Sequence, residues 1–133
     1  MENNHPVLRE IIELFVEPSR KARYLYFWEK SKRRGQLLDE LLHDARDLRA
    51  DRCRELVPTL SDPDQLLALM RKQGAGKTCY VFGRSTFDGE QADLRAALAD
   101  VAGRMREVIV FARDTQLAFV EEHDGRQFIL SMK

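Results

Sequence analysis

Apolar residues recur at helical spacing through the first half of the chain and gather into strand-like runs in the second, the change falling near residues 74–77. Val7, Leu8, Ile11, Ile12, Phe15 and Val16 sit at i, i+1, i+4, i+5, i+8 and i+9, one face of a helix over 6–16. Glu17-Pro18 ends that helix, because the residue before a proline avoids the α region. Ser19 is placed to cap a second helix through 20–34, although residues 24–28 also carry strand propensity. Leu37, Leu38, Leu41, Leu42, Ala45 and Leu48 define the clearest amphipathic helix, over 36–48. Ser61-Asp62-Pro63-Asp64 supplies a cap, a first-turn proline and acids at the positive dipole end of a fourth helix. Leu66, Leu67, Leu69 and Met70 make that helix apolar, and Gly74 suits its stop.

The second half predicts strand, helix and three further strands. Residues 78–82 form the first strand, with a turn at Phe87-Asp88-Gly89. Leu94, Ala97, Leu98, Val101 and Ala102 share one face of a helix over 90–104. Val108-Ile109-Val110-Phe111 is continuously apolar, as in a strand covered on both sides. Runs at 117–120 and 127–130 flank Asp124-Gly125, a hairpin signal, since a type I′ turn needs positive φ at both central positions. The expectation is one α+β domain over 1–133, a helical half (1–73) packed on a four-stranded mixed sheet of β-α-β-β-β order (78–133).

Charge changes this picture in one place. Residues 20–34, RKARYLYFWEKSKRR, hold seven Lys/Arg and one acid, a local charge of +6 inside a chain whose formal charge is zero. The rest therefore carries −6. Tyr24, Tyr26, Phe27 and the only tryptophan, Trp28, are interleaved with the cations. Basic side chains supply the salt-dependent phosphate attraction and exposed aromatics stack on unpaired bases. The bland counterpart places aromatics 24, 27 and 28 in the core at i, i+3, i+4, with the cations pairing acids at Asp39, Glu40, Asp44, Asp47 and Asp51. A pI near 6.8 excludes a protein that coats DNA with its whole surface.

Other chemistry is sparse. Gly74-Ala75-Gly76-Lys77-Thr78 resembles the end of a phosphate-binding loop, but Arg71 stands where that motif needs its first glycine, and the glycines follow a helix and precede a strand. They read as a helix stop and turn. His5, His43 and His123 make no i, i+4 pair and read as solvated surface residues, with no metal expected. Arg52 and Arg54 flank Cys53 with the positive charge that favours a reactive thiolate, whereas Cys79 reads as buried and structural. Two lone thiols, the absence of a basic leader before an apolar run, and no apolar stretch of about 20 residues lead to the expectation of a cytoplasmic protein without membrane contact.

From about residue 23 to 130 the chain resembles a family of small uncharacterised bacterial proteins. The likeness rests on Arg23-Tyr24-Leu25 with Glu29-Lys30, on Gly74-Ala75 with Cys79-Tyr80-Val81, on Asp88-Gly89, and on Leu117-Ala118-Phe119 before Arg126-Gln127-Phe128-Ile129-Leu130. It implies a bacterial, cytoplasmic, single-domain protein and says nothing of mechanism.

The reading that follows is a non-enzymatic binding or regulatory protein. Arg20, Lys21, Arg23, Tyr24, Trp28, Lys32, Arg33 and Arg34 would contact nucleic acid or an acidic protein, with no cofactor. The alternative is a small enzyme or anion-binding domain in the strand-end loops. If the first two strands are parallel, Arg84, Ser85, Arg113 and Asp114 share one edge near Asp88. The apolar N-terminal helix offers either core packing or a homodimer seam.

Overall fold

Three helices come first in the computed structural model, which describes residues 5–132: α1 (Pro6–Phe15), α2 (Lys21–Glu29) and α3 (Arg34–Leu41). Then follow β1 (Cys53–Glu55), α4 (Pro63–Lys72), β2 (Thr78–Gly83), β3 (Gln91–Asp93), α5 (Leu94–Val101), β4 (Val108–Ala112), β5 (Leu117–Glu121) and β6 (Gln127–Leu130). The strands make one sheet of order β1-β6-β5-β4-β2-β3, and every neighbouring pair is antiparallel.

This corrects the expected four-stranded mixed sheet in number and direction. The two further strands, β1 and β3, hold three residues each and close the two edges, too short for any alternation to show. β3 also reverses the chain before α5. The strands flanking that helix, β3 and β4, do run the same way, but β2 lies between them and opposes both.

Helices cover both faces of the sheet. Phe82, Ile109, Phe111, Ala118, Val120, Phe128 and Leu130 pack against α1, α2 and α3. Val81, Val108, Val110, Phe119 and Ile129 pack against α4 and α5. Successive β4 residues thus enter opposite cores, which is why 108–111 is apolar without interruption. Val7, Leu8, Ile11, Ile12, Phe15 and Val16 are all buried in this domain's own core, so the face considered as a dimer seam is already covered.

Local chemistry explains most boundaries. At α1, His5 Nδ1 accepts from the Val7 N–H at 3.1 Å and Pro6 opens the first turn. At α4, Asp62 accepts from the Asp64 N–H at 2.9 Å. Gly74, at φ 105°, closes α4 with the bonds Gly74 N–H to Arg71 O and Ala75 N–H to Met70 O, a Schellman arrangement. The phosphate-loop resemblance is accounted for by that cap.

Elsewhere the boundaries move. Pro18–Arg20 form one 3-10 turn, and α2 starts at Lys21 with no side-chain cap, so Ser19 does not play the capping role. The helix expected over 36–48 ends at Leu41, because Asp44 and Ala45 turn left-handed (φ 57° and 55°) and the Ala45 N–H is taken by Glu122. Leu48 still reaches the core, through a bridge to Val16. At the β5–β6 hairpin, Gly125 has φ 88° while Asp124 does not have positive φ, so the turn is not type I′. The Gly125 N–H bonds Glu122 O, and Asp124 Oδ1 accepts from the Arg126 N–H.

Candidate functional site

α2 divides the basic aromatic segment between core and solvent. Tyr24 is 0% exposed, with its hydroxyl on Asp47, and Phe27 is buried beside it, so neither ring can meet a base. Trp28 is half-buried, and its indole N–H donates to His5 O at 2.9 Å. Tyr26 instead projects outward, 53% exposed, with Lys30 Nζ 5.4 Å from its ring centre. Tyr24 and Trp28 thus leave the contact set, and Tyr26 is the aromatic to consider.

Three of the cations are neutralised internally. Arg23 grips Glu40 through both Nε and Nη2, at 2.8–3.1 Å. Arg20 stands 3.6 Å from Asp47. Arg34 is largely buried against Asp88. What remains outward is Lys30, Lys32 and Arg33, the last bonded to Gln36, with Lys21 half-buried. Among the described residues, neither Lys21 nor Lys32 pairs with an acid.

A second concentration of charge lies at the end of the sheet where β1, β2 and β5 finish and β4 and β6 begin. Arg34, Asp39, Arg84, Asp88 and Glu107 line a cavity of about 280 Å³ there. Asp88 accepts from the Gly83 N–H at 3.0 Å as well as from Arg34, whose buried Nε has no partner among the described residues. Burial and the adjacent Asp39 carboxyl push Glu107 above the usual carboxylate range, with Arg84 and His123 opposing. Gly83, at φ 124°, closes this corner: a Cβ there would stand 2.2 Å from Glu107 O.

Glu121 and Gln127 build the neighbouring cleft. The fully buried Glu121 carboxylate accepts from Gly103 N–H (2.9 Å), Met105 N–H (2.7 Å) and Gln127 Nε2 (2.7 Å). Gln127 also exchanges two bonds with the Leu60 backbone, at 2.7 and 2.8 Å. One buried pair of side chains therefore fixes both walls, 103–105 and 56–61, of a cleft of about 500 Å³. Met105 sits at φ 55°, a conformation costing a non-glycine residue about 1–2 kcal/mol, and the bond to Glu121 holds it there. Met105 is 57% exposed and Val57, on the opposite wall, 81%.

Asp44, Glu122 and Asp124 bring carboxylate oxygens within 4.8 Å of one another beside this cleft. Arg126 Nη1 is 3.4 Å from Asp44 and its other arm grips Glu55 at 3.0 Å, so a guanidinium already occupies the acidic corner.

The remaining candidates separate. Because β2 and β4 are antiparallel, Arg84 and Arg113 lie at opposite ends of the sheet, and the shared anion site does not form. Arg113 pairs with Glu10 at 3.0 Å, and Ser85 caps its own loop through Asp100 and the Phe87 N–H. Asp114 lies against Gly76. His5 is not a solvated histidine, since its ring packs edge-on against Phe82 and Tyr80. With α3 ended early, His43 and Asp44 do approach, to 3.6 Å, and both are exposed. Burial and the charges of Glu122 and Glu55 push the Cys53 thiol up to about 11, and Arg52 reaches away to Leu14 O. No signal in the sequence marked Glu121, Gln127 or Met105, since their roles depend on strand pairings between distant residues.

Set beside known proteins, the chain matches no family, no curated protein and no solved structure. Among the described residues no helix is long and apolar enough to cross a membrane.

Proposed function

We propose that this chain works by binding, and that the outer side of α2 with the turn after it is a contact surface for nucleic acid. The observation that carries the reading is the pairing pattern: among the described residues the exposed Lys32 and the half-buried Lys21 have no acid partner and Tyr26 projects outward, while the neighbouring Arg20, Arg23 and Arg34 are held by acids. Unpaired surface cations are the groups that release counterions on meeting phosphates, and a single outward ring stacks on a single unpaired base.

The surface is small. A helix of nine residues is about 13 Å long, enough for two or three nucleotides. Binding is therefore weak, favours single strands and carries little sequence preference, with affinity falling by a log–log salt slope of about 2–3.

The test is titration of labelled single-stranded RNA, single-stranded DNA and duplex DNA at about 50 and 200 mM salt. A Lys21/Lys32/Arg33→Ala variant runs alongside. Salt-steep binding lost in the variant is the expected result, with Tyr26→Ala weakening single strands more than duplex. Absence of binding at the lower salt overturns the reading and leaves an acidic protein as the partner to seek on this face.

A further inference from the structure

We propose a second, independent interaction site: the free edge of β1 and the cleft at its end take an extended, cationic and partly apolar segment of a partner protein.

Three observations converge on it. First, among the described residues β1 pairs only with β6. Ladder bonds from Leu56 N–H to Gln127 O and from Ser131 N–H to Arg52 O show that residues 52 and 56 point their backbone groups toward β6. Glu55, out of phase by one residue, turns its N–H and C=O outward, where no strand among the described residues pairs with them. An open edge of this kind accepts a further strand, main-chain bonds giving affinity and flanking pockets giving specificity.

Second, the pocket is in place. The cleft lies where β1 ends, with Leu56 at its base and Val57 and Met105 as opposed apolar walls, both far more exposed than their neighbours in the core. The Glu121–Gln127 network holds both walls in place, so no rearrangement is needed to admit a side chain.

Third, the charge selects the occupant. Of the ionisable residues lining the cleft, Glu55 and Asp124 are acids and Arg126 is the one cation. That guanidinium is already engaged by Glu55 and Asp44, and the Glu121 side chain is buried against the 103–105 wall. The field at the mouth is negative, so the ligand carries Lys or Arg on either side of the apolar residue that enters.

The probe is a fluorescein-labelled peptide, Lys-Val-Leu-Val-Lys, compared with Glu-Val-Leu-Val-Glu by anisotropy. The full chain should bind the lysine peptide at least tenfold more tightly. Glu55→Pro removes the outward N–H of the edge as well as the carboxylate that holds Arg126, and Glu55→Gln removes the carboxylate but keeps the N–H, so the proline variant should bind at least fivefold more weakly than the glutamine one. Val57→Ser, at a position 81% exposed, should weaken binding by a similar factor. Equal affinity for the two peptides, no binding of the lysine peptide at millimolar concentration, or unchanged binding by Val57→Ser each overturns the proposal. The Val57 result decides the matter even if the proline variant fails to fold. Retention of peptide binding by Lys21/Lys32/Arg33→Ala is expected, since the two surfaces share no residue.

Discussion

The Tyr24 hydroxyl donates to Oδ2 of Asp47 at 2.5 Å, tying α2 to the turn that follows α3. Both partners are buried, and Arg20 approaches the same carboxylate from its solvent side at 3.6 Å. Tyr24→Phe keeps the ring packing against Phe27 and deprives a buried carboxylate of its short bond. A loss of about 1–3 kcal/mol is expected in urea unfolding. A variant as stable as the parent would mean that Arg20 alone satisfies Asp47.

The same pair sets a response to alkali. Burial, and then the bond to and charge of Asp47, hold the Tyr24 phenol well above its ordinary value of 10.0. A group whose folded pKa is raised gives its full contribution below the unfolded pKa and loses it as pH rises past that point. The stability gap between the parent and Tyr24→Phe should therefore narrow above pH 10.0. Unfolding curves at pH 8 and pH 11 check this.

Glu122 follows the same sign of linkage in a lower pH range. Burial raises its carboxyl above the ordinary 4.5, and the bond from the Ala45 N–H offsets this only in part. Its contribution is complete below pH 4.5 and falls as pH rises through the folded value. Glu122→Gln keeps an oxygen for Ala45 and removes the charge. The variant should match the parent at pH 4 and equal or exceed its stability at pH 7.

Neither thiol should behave as a nucleophile in the folded protein. Burial pushes Cys79 up to about 12 and Cys53 up to about 11, leaving little thiolate near neutrality. Labelling with a disulfide reagent at pH 8 should be slow for both and become rapid in urea. Fast labelling of native Cys53 would mean that Arg126 outweighs the Glu122 and Glu55 charges around it.

Two glycines should respond in opposite ways. At Gly83, φ 124° and a would-be Cβ 2.2 Å from Glu107 O make Gly83→Ala costly, by at least about 2 kcal/mol. At Gly35, inside the first turn of α3, a Cβ meets nothing within 4 Å. Gly35→Ala should stabilise by about 0.5–1 kcal/mol. Thermal melts of the two variants provide the comparison.

Elements whose cause is local were legible in the sequence. The α1 stripe, the Asp62-Pro63 start of α4, its Gly74 stop and the double-faced β4 run all follow from neighbours in the chain. What escaped depends on distant partners. Leu42, Ala45 and Leu48 fit the helical pattern, yet Glu122, on the far side of the sequence, captures the Ala45 amide and ends the helix. Residues 53–55 carry no strand signal of their own and are extended because β6 supplies the partner. The same holds for function. The cations of 20–34 were visible as charges, but which of them stay outward was decided by Glu40, Asp47 and Asp88.

β6 sits between β1 and β5, so it is flanked by a strand made 70-odd residues earlier and by its hairpin partner. During synthesis, Cys53–Glu55 must wait for Gln127–Leu130 to leave the ribosome before it gains any sheet partner. β1 therefore joins the sheet only after β6 has been made, and a nascent chain stalled before residue 127 should remain open to proteases at residues 53–61.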